Sequence, residues 1–265
     1  GEDPATKVIV LISKPPAPAV LGPLYAELKK IRKPIVVYFI GADPEAIRKE
    51  GFTPAHNLQE AAQKACELSG GKPVPPPMSD ADAAAKADGI SLPGKHLRGL
   101  YSGGTLCDEA QRLLLPVLGD LYSNTPVKGC KTLQSVHKSE KHTIVDLGDD
   151  EFTRGRAHPM IDPTLRQERI GIETADPDVG LIAFDVVLGY GSHMDMAGEM
   201  VAAIEKARKA TGRKPVFAAC ICGTADDPQN MQKQKRTLEE AGVLVFPSNV
   251  ALIAFIKRAL AGKGA

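Results

Sequence analysis

Short, continuously apolar runs separated by stretches with helical spacing constrain this chain most. The runs are Lys7–Ser13 (KVIVLIS), Ile35–Ile40 (IVVYFI), Thr143–Leu147 (TIVDL), Val179–Leu188 (VGLIAFDVVL) and Val216–Ile221 (VFAACI). Apolar character that does not alternate marks strands covered on both faces. Between the runs, Leu106, Ala110, Leu113, Leu114, Val117, Leu118 and Leu121 recur at helical spacing, as do Ala197, Met200, Val201, Ile204 and Ala207. Strands alternating with helices predict βαβ units and a mainly parallel α/β sheet.

The punctuation repeats. Lys33-Pro34 opens one run, followed by Asp43-Pro44, a charged helix, Gly51, Pro54 and a helix started by Asn57. Lys214-Pro215 opens another, followed by Asp227-Pro228, a charged helix, Gly242, Pro247 and a helix started by Ser248. Asp, Asn and Ser cap helix starts, Pro suits the first helical position, and Gly closes a helix in a left-handed conformation. The shared order points to duplicated modules. Residues 70–95 are rich in Pro, Gly, Ala and Asp with few large apolar side chains, which reads as a linker. The expected organisation is a partial module over 1–70, a linker over 71–95 and a complete module over 96–265. Candidate strands of the complete module lie near 97–101, 143–147, 179–188, 216–221 and 243–246. The first module is expected to lack its leading strand.

Composition narrows the function classes. Lys and Arg total 33 against 32 Asp and Glu, Trp is absent and aromatics are 5%, so neither a strong basic excess nor stacking platforms for nucleic acid are present. The Cys residues form no CxxC pair, which fits buried thiols in a reducing compartment. No apolar run approaches the ~18 residues of a membrane helix, and the opening GEDPATKVIVLISKPP lacks a secretory pattern. A cytoplasmic protein without nucleic-acid or membrane partners is expected.

Ligands of open parallel sheets bind at the carboxyl ends of strands, so the loops there carry the candidates. Tyr101-Ser102-Gly103-Gly104-Thr105 is a glycine turn before a helix. Its free N–H groups and the helix dipole could hold an anion. A plain turn capped by Thr105 and answered by Asp108 fits these residues equally. Gly148–Pro163 (GDDEFTRGRAHPMIDP) gathers Asp149, Asp150, Glu151, Arg154, Arg156, His158 and Asp162. Arginines make bidentate contacts to phosphate or carboxylate, and His158 could serve as acid, base or phosphoryl acceptor. Arg154, Arg156 and His158 are the catalytic candidates, with Asp149, Asp150 and Asp162 facing the ligand. Gly189-Tyr190-Gly191 opens a third loop, where glycines permit close approach. His193 and Asp195 alone make no metal site. Cys107, in the first turn of its helix, could be a lowered-pKa thiol or a packed core residue. In the first module, Ser13 and Lys14 stand at the corresponding turn and could face an anion.

SGGTLCDEA (Ser102–Ala110), TRGRAHPMIDP (Thr153–Pro163), DVVLGYGSHMD (Asp185–Asp195) and VIVLISKPPAPAV (Val8–Val20) resemble the FdrA family, whose members are similar to succinyl-CoA synthetase. The resemblance implies two flavodoxin-like modules. It also implies a phosphate site between two helix N-termini, one after Ser13 and one after Ser102–Thr105. CoA, ATP or ADP and Mg are implied only through it, and so is a place in a hetero- or homo-oligomer acting on a small anionic substrate. The Gly-His-Ala-Gly phosphohistidine motif of the synthetase has no counterpart here, and His56 stands in a different context. Proteins of this type have been linked to purine (allantoin) breakdown as a subunit of an oxamate carbamoyltransferase. The reading is phosphoryl, carbamoyl or acyl group transfer as a subunit of such a transferase, with an ADP-forming acyl-CoA ligase subunit or a non-catalytic scaffold subunit as alternatives.

Overall fold

The computed structural model describes residues 1–72 and 75–261, which divide into two compact units, Gly1–Pro77 and Met78–Ala265. In the first unit β1 (Ile9–Ser13), α1 (Pro18–Leu28), β2 (Ile35–Phe39), α2 (Pro44–Lys49), β3 (Thr53–Pro54) and α3 (Leu58–Leu68) form a parallel three-stranded sheet in the order β1-β2-β3. The central strand β2 is buried along its whole length, as its unbroken β-branched run requires. Val37 and Phe39 pack toward Leu28 and Ile47 on one face, and Val36 and Tyr38 toward Ala61 on the other. Asp43 and Asn57 cap α2 and α3 by accepting the N–H of Glu45 and Glu60. Glu60 reaches back to the backbone N–H and ring of His56, one residue earlier than a standard capping box.

The second unit runs α4 (Asp80–Ala85), β4 (His96–Tyr101), α5 (Gly104–Leu118), β5 (Leu121–Ser123), β6 (Lys131–Thr132), β7 (His142–Asp146), α6 (Asp150–Thr153), α7 (Thr164–Ala175), β8 (Val179–Val187), α8 (Met196–Thr211), β9 (Val216–Cys222), α9 (Met231–Glu240), β10 (Leu244–Phe246) and α10 (Asn249–Leu260). Every pairing is parallel, in the order β10-β9-β8-β4-β7-β5-β6. Setting aside the short β5 and β6, the succession is the flavodoxin-like 2-1-3-4-5 arrangement, whose order reverses beside β4. Leu100, Val145, Ile182 and Phe184 pack toward α7, α8 and α9 through Ile170, Met200, Ile204 and Leu238. Leu97, Ile144, Leu181 and Ala183 pack toward α5 and α10 through Ala110, Leu114, Leu252 and Ile256. Full burial of each of the larger of these side chains contributes about 1.5–3 kcal/mol.

The structure departs from the sequence expectations at definite places. Strands β5 and β6 extend the sheet beyond the five expected ones; at three and two residues they are too short to show a pattern. The stretch expected as a linker over 71–95 contains α4, capped by Ser79, and its Ala83, Ala87 and Leu92 are buried in the core shared with α10. Small alanines let α4 lie close against α10, so a scarcity of large apolar residues does not mean an unpacked segment. Pro73 and Val74, inside that stretch, lie outside the described residues. Asp227-Pro228 does not start a helix: Asp227 accepts from the Thr224 N–H, and α9 begins later with Asn230 as its cap. Nor does Thr105 cap α5, which starts one residue earlier at Gly104 with Gly103 as N-cap.

Candidate functional site

The carboxyl end of β4 sits between the carboxyl ends of β7 and β8. Tyr101 is in register with Asp146 of β7, and Leu100 with Phe184 of β8, the residue before Asp185. Each neighbouring strand thus brings one aspartate to the turn that starts α5.

Asp185 is fully buried and holds that turn directly. Its Oδ1 accepts from the Ser102 N–H at 2.8 Å and the Ser102 hydroxyl at 2.9 Å, and its Oδ2 from the Gly103 N–H at 2.7 Å. Asp146 flanks the same turn. Its Oδ1 accepts the Gly148 N–H at 2.9 Å, and a Cβ on Gly104 would lie 2.7 Å from its Oδ2. Only glycine lets α5 begin this close to a carboxylate. Two carboxylates therefore answer the positive end of the α5 dipole. This corrects one expectation: the Ser102 and Gly103 N–H groups, read as donors to an external anion, are engaged by Asp185. Gly104 and Thr105, half-buried, begin the helix.

Behind Asp185 lies Arg166 of α7, itself buried. Its Nη2 donates to the Asp185 carbonyl oxygen and lies 3.4 Å from Oδ1. Its Nε and Nη1 are sealed from solvent, with no hydrogen-bond partner among the described residues. Burial pulls this guanidinium below its usual pKa, against the pull of Asp185.

The loop after β7 approaches the same turn. A Cβ on Gly148 would lie 2.5 Å from His158 Nε2 and 2.9 Å from the Ser102 carbonyl oxygen, so Gly148 is the spacer between His158 and the α5 turn. His158 is fixed from its other side, where its Nδ1 accepts the Met160 N–H at 3.2 Å. Its carbonyl accepts from Ile161 and Asp162, closing a tight turn. Arg154 and Arg156 are exposed on this loop, and among the described residues neither guanidinium enters an ion pair within 4.0 Å.

Two of the three acidic candidates of the loop serve the backbone. Asp149 caps α6 by accepting the Glu151 N–H, and Asp150 is the exposed first residue of that helix. Asp162 accepts from both the N–H and the hydroxyl of Thr164. Those bonds, with Arg156 and His193 adding to them, hold its carboxyl below the usual range. The third loop is tied to the second by the His193 N–H, which donates to the Met160 carbonyl at 2.8 Å. Gly189 and Gly191 have φ of 133° and 86°, and Tyr190 between them is 94% exposed. His193 and Asp195 do not converge: His193 Nδ1 accepts the Asp195 N–H, while the Asp195 carboxylate accepts from Gln234. Among the described residues no group of three or more His, Cys, Asp or Glu is placed to hold a metal ion. Cys107 is a core residue whose thiol burial pushes well up. Ser13 and Lys14 belong to the first unit, exposed where β1 ends.

Residues 100–258 match the CoA-ligase family, a span that runs from the end of β4 through all three loops and most of α10. The chain belongs to the CoA-ligase family. YahF of Escherichia coli (strain K12) is 39% identical over 260 residues, 95% of this chain and 50% of that protein. Among solved structures, the apo dinucleotide-forming acetyl-coenzyme A synthetase 1 of Ca. Korarchaeum cryptofilum aligns with 97% of this chain and 53% of its own at 16% identity and a TM-score of 0.47. A Pyrococcus horikoshii OT3 protein aligns with 96% of this chain and 52% of its own at 14% identity and a TM-score of 0.37. The chain spans about half the length of the proteins it matches.

Within this CoA-ligase domain the structure brings together Ser102–Thr105 and His158 around Gly148. It adds Asp146, Asp185, Arg166 and Gln229, none of which sequence reasoning singled out. Gln229 is buried and braces the Gly189 loop, accepting the Gly189 N–H and donating to the carbonyls of Gly189 and Ser192. The signal for two of these was present: Asp146 and Asp185 are the lone charges in otherwise apolar strand runs. A carboxylate is placed there only with partners to satisfy it.

Proposed function

We propose that this chain is a group-transfer subunit acting on a small oxyanion: phosphate, or an acyl or carbamoyl phosphate, together with a carboxylate. The observation that supports it is His158 Nε2 held one glycine away from the α5 turn, with Arg154 and Arg156 exposed on the same loop. The anion is held by those guanidinia and His158 at the half-buried start of α5, while Asp185 keeps the turn in shape. Arginines there provide charge-assisted, bidentate contacts, roughly twice as strong as neutral hydrogen bonds. The reaction that suits this donor set is phosphate-dependent cleavage of oxalurate to oxamate and carbamoyl phosphate, in an FdrA-type oxamate carbamoyltransferase assembly. It needs an oxyanion site and a carboxylate clamp from this chain.

Membership of the CoA-ligase family favours a second reading, an ADP-forming acyl-CoA ligase subunit. A scaffold subunit that lends only a surface to catalytic partners is the third. Purified chain, alone and co-expressed with its genomic neighbours, is assayed for oxalurate cleavage with phosphate and for thioester formation with ATP and CoA. Oxalurate cleavage that disappears on Arg154 or Arg156 substitution supports the transferase. Thioester formation without oxalurate cleavage replaces it with the ligase. Activity of the assembly that is indifferent to Arg154, Arg156 and His158 leaves this chain as scaffold.

A further inference from the structure

The contacts of His158 decide which of its nitrogens meets a ligand and in what form. Nδ1 accepts the Met160 backbone N–H at 3.2 Å. An accepting Nδ1 carries no proton, so the proton of the neutral ring is on Nε2. Nε2 is the atom that Gly148 lets approach the α5 turn, 2.5 Å from where a Cβ on that glycine would stand. The backbone beside the ring is anchored as well. The carbonyl of His158 takes the N–H groups of Ile161 and Asp162, and the Met160 carbonyl takes the N–H of His193. Exchanging the two nitrogens would therefore cost the Met160 bond.

We propose that His158 acts as a fixed Nε2–H hydrogen-bond donor to an oxygen of the bound oxyanion, and that it does not accept the transferred group. Nucleophilic attack needs a bare lone pair on the attacking nitrogen. On Nε2 that position is taken by the proton, and on Nδ1 the lone pair is taken by Met160. No bond to nitrogen forms in this role; the ring polarises the substrate oxygen and keeps its proton. The inference deepens the oxyanion reading above and rests on it for the identity of the ligand.

The test uses the whole chain, 15N-labelled, with inorganic phosphate as the probe. Long-range proton–nitrogen spectra of the imidazoles, assigned with a His158→Gln variant, report which nitrogen of His158 carries the proton. The expected spectrum has it on Nε2, and phosphate shifts Nε2 more than Nδ1. A proton on Nδ1 overturns the proposal. Calorimetry runs in parallel. Phosphate that binds yet leaves the His158 ring unmoved overturns the donor role alone, whereas no phosphate binding at any concentration up to tens of millimolar brings down the oxyanion reading with it. Gln places an N–H near the Nε2 position and Asn cannot, so His158→Gln is expected to keep phosphate affinity close to the parent. His158→Asn is expected to lose about tenfold, the scale of one hydrogen bond to a charged group. Equal losses in both would contradict a role specific to Nε2. Incubation with 32P-labelled ATP or carbamoyl phosphate is expected to leave no acid-labile, alkali-stable label on the chain, and a label that His158→Gln removes would refute the inference.

Discussion

Asp185 takes two hydrogen bonds from Ser102, one from its backbone N–H and one from its hydroxyl, and so places an internal carboxylate where an external anion was expected. Asp185 is sealed, so its substitution strands the donors of Ser102 and Gly103 and leaves Arg166 without its counter-charge. Removing one member of a buried pair costs about 3–5 kcal/mol. Asp185→Ala is expected to fall in that range by urea denaturation. Arg166→Met is expected to cost clearly less, because Asp185 keeps three hydrogen bonds after the arginine is gone. Equal costs would show that the charge pair, not the turn, is what Asp185 serves.

Gly148 gives a sharper handle on the site than any charged residue near it. A methyl there meets the His158 ring on one side and the Ser102 carbonyl on the other, both inside normal contact distance. The carbonyl belongs to the turn that Asp185 holds on both sides, so the ring is the part expected to move. Gly148→Ala is expected to cost about 1–3 kcal/mol of stability, the usual scale of overpacking. It should lower oxyanion affinity at a temperature where the variant is fully folded. Unchanged affinity in a folded variant would separate His158 from the α5 turn in function.

The architecture was legible because its central strands are sealed on both faces; β1, whose run reads the same, instead leaves Val10 and Ile12 exposed. β2, β8 and β9 carry continuous apolar runs, broken in β8 only by Asp185, and parallel connection by helices follows from their spacing. β5 and β6 were not, since Leu121–Ser123 and Lys131–Thr132 are fixed by pairing to β7 and to each other and not by their own residues. At the site, the loops could be named but the direction of their donors could not. Ser102-Gly103-Gly104 reads the same whether its N–H groups face solvent or Asp185, which lies 83 residues away from Ser102 in sequence. Asp149 and Asp162 were assigned to a ligand for their charge, yet helix starts consume them locally, as short acidic side chains in loops often do.

Arg154 and Arg156 separate chemistry from stability. Both are exposed, so a change of either to Lys is expected to alter stability by well under about 1 kcal/mol. Lys keeps the charge and loses the planar fork. If the fork orients the oxyanion, Arg154→Lys or Arg156→Lys should lower phosphate affinity about tenfold, near 1.4 kcal/mol. Titration calorimetry beside a melting curve checks both halves. Affinity that survives in the Lys variants would mean the loop contributes charge alone.

The far end of the same sheet carries a pH response that has nothing to do with the ligand. His142 opens β7 and accepts the Leu97 N–H through Nδ1 at 3.1 Å. Burial, with His96 and Arg98 adding to it, pushes its pKa down to about 4. His96, stacked edge-on against it at 5.5 Å, is lowered by burial as well. Protonating either ring is thus easier in the unfolded chain than in the folded one. Above the ordinary histidine pKa of about 6.5 both states are neutral and the pair has no effect. As pH falls from there toward 4 the unfolded chain binds more protons, so stability declines across that window. Because His142 is only half-buried, solvent screening reduces the loss to about 1–2 kcal/mol. His142→Asn retains an acceptor near the Nδ1 position and cannot titrate. Denaturation midpoints between pH 7 and 4.5 are expected to fall less steeply in this variant than in the parent. Parallel curves for the two proteins would assign the acid sensitivity to other groups.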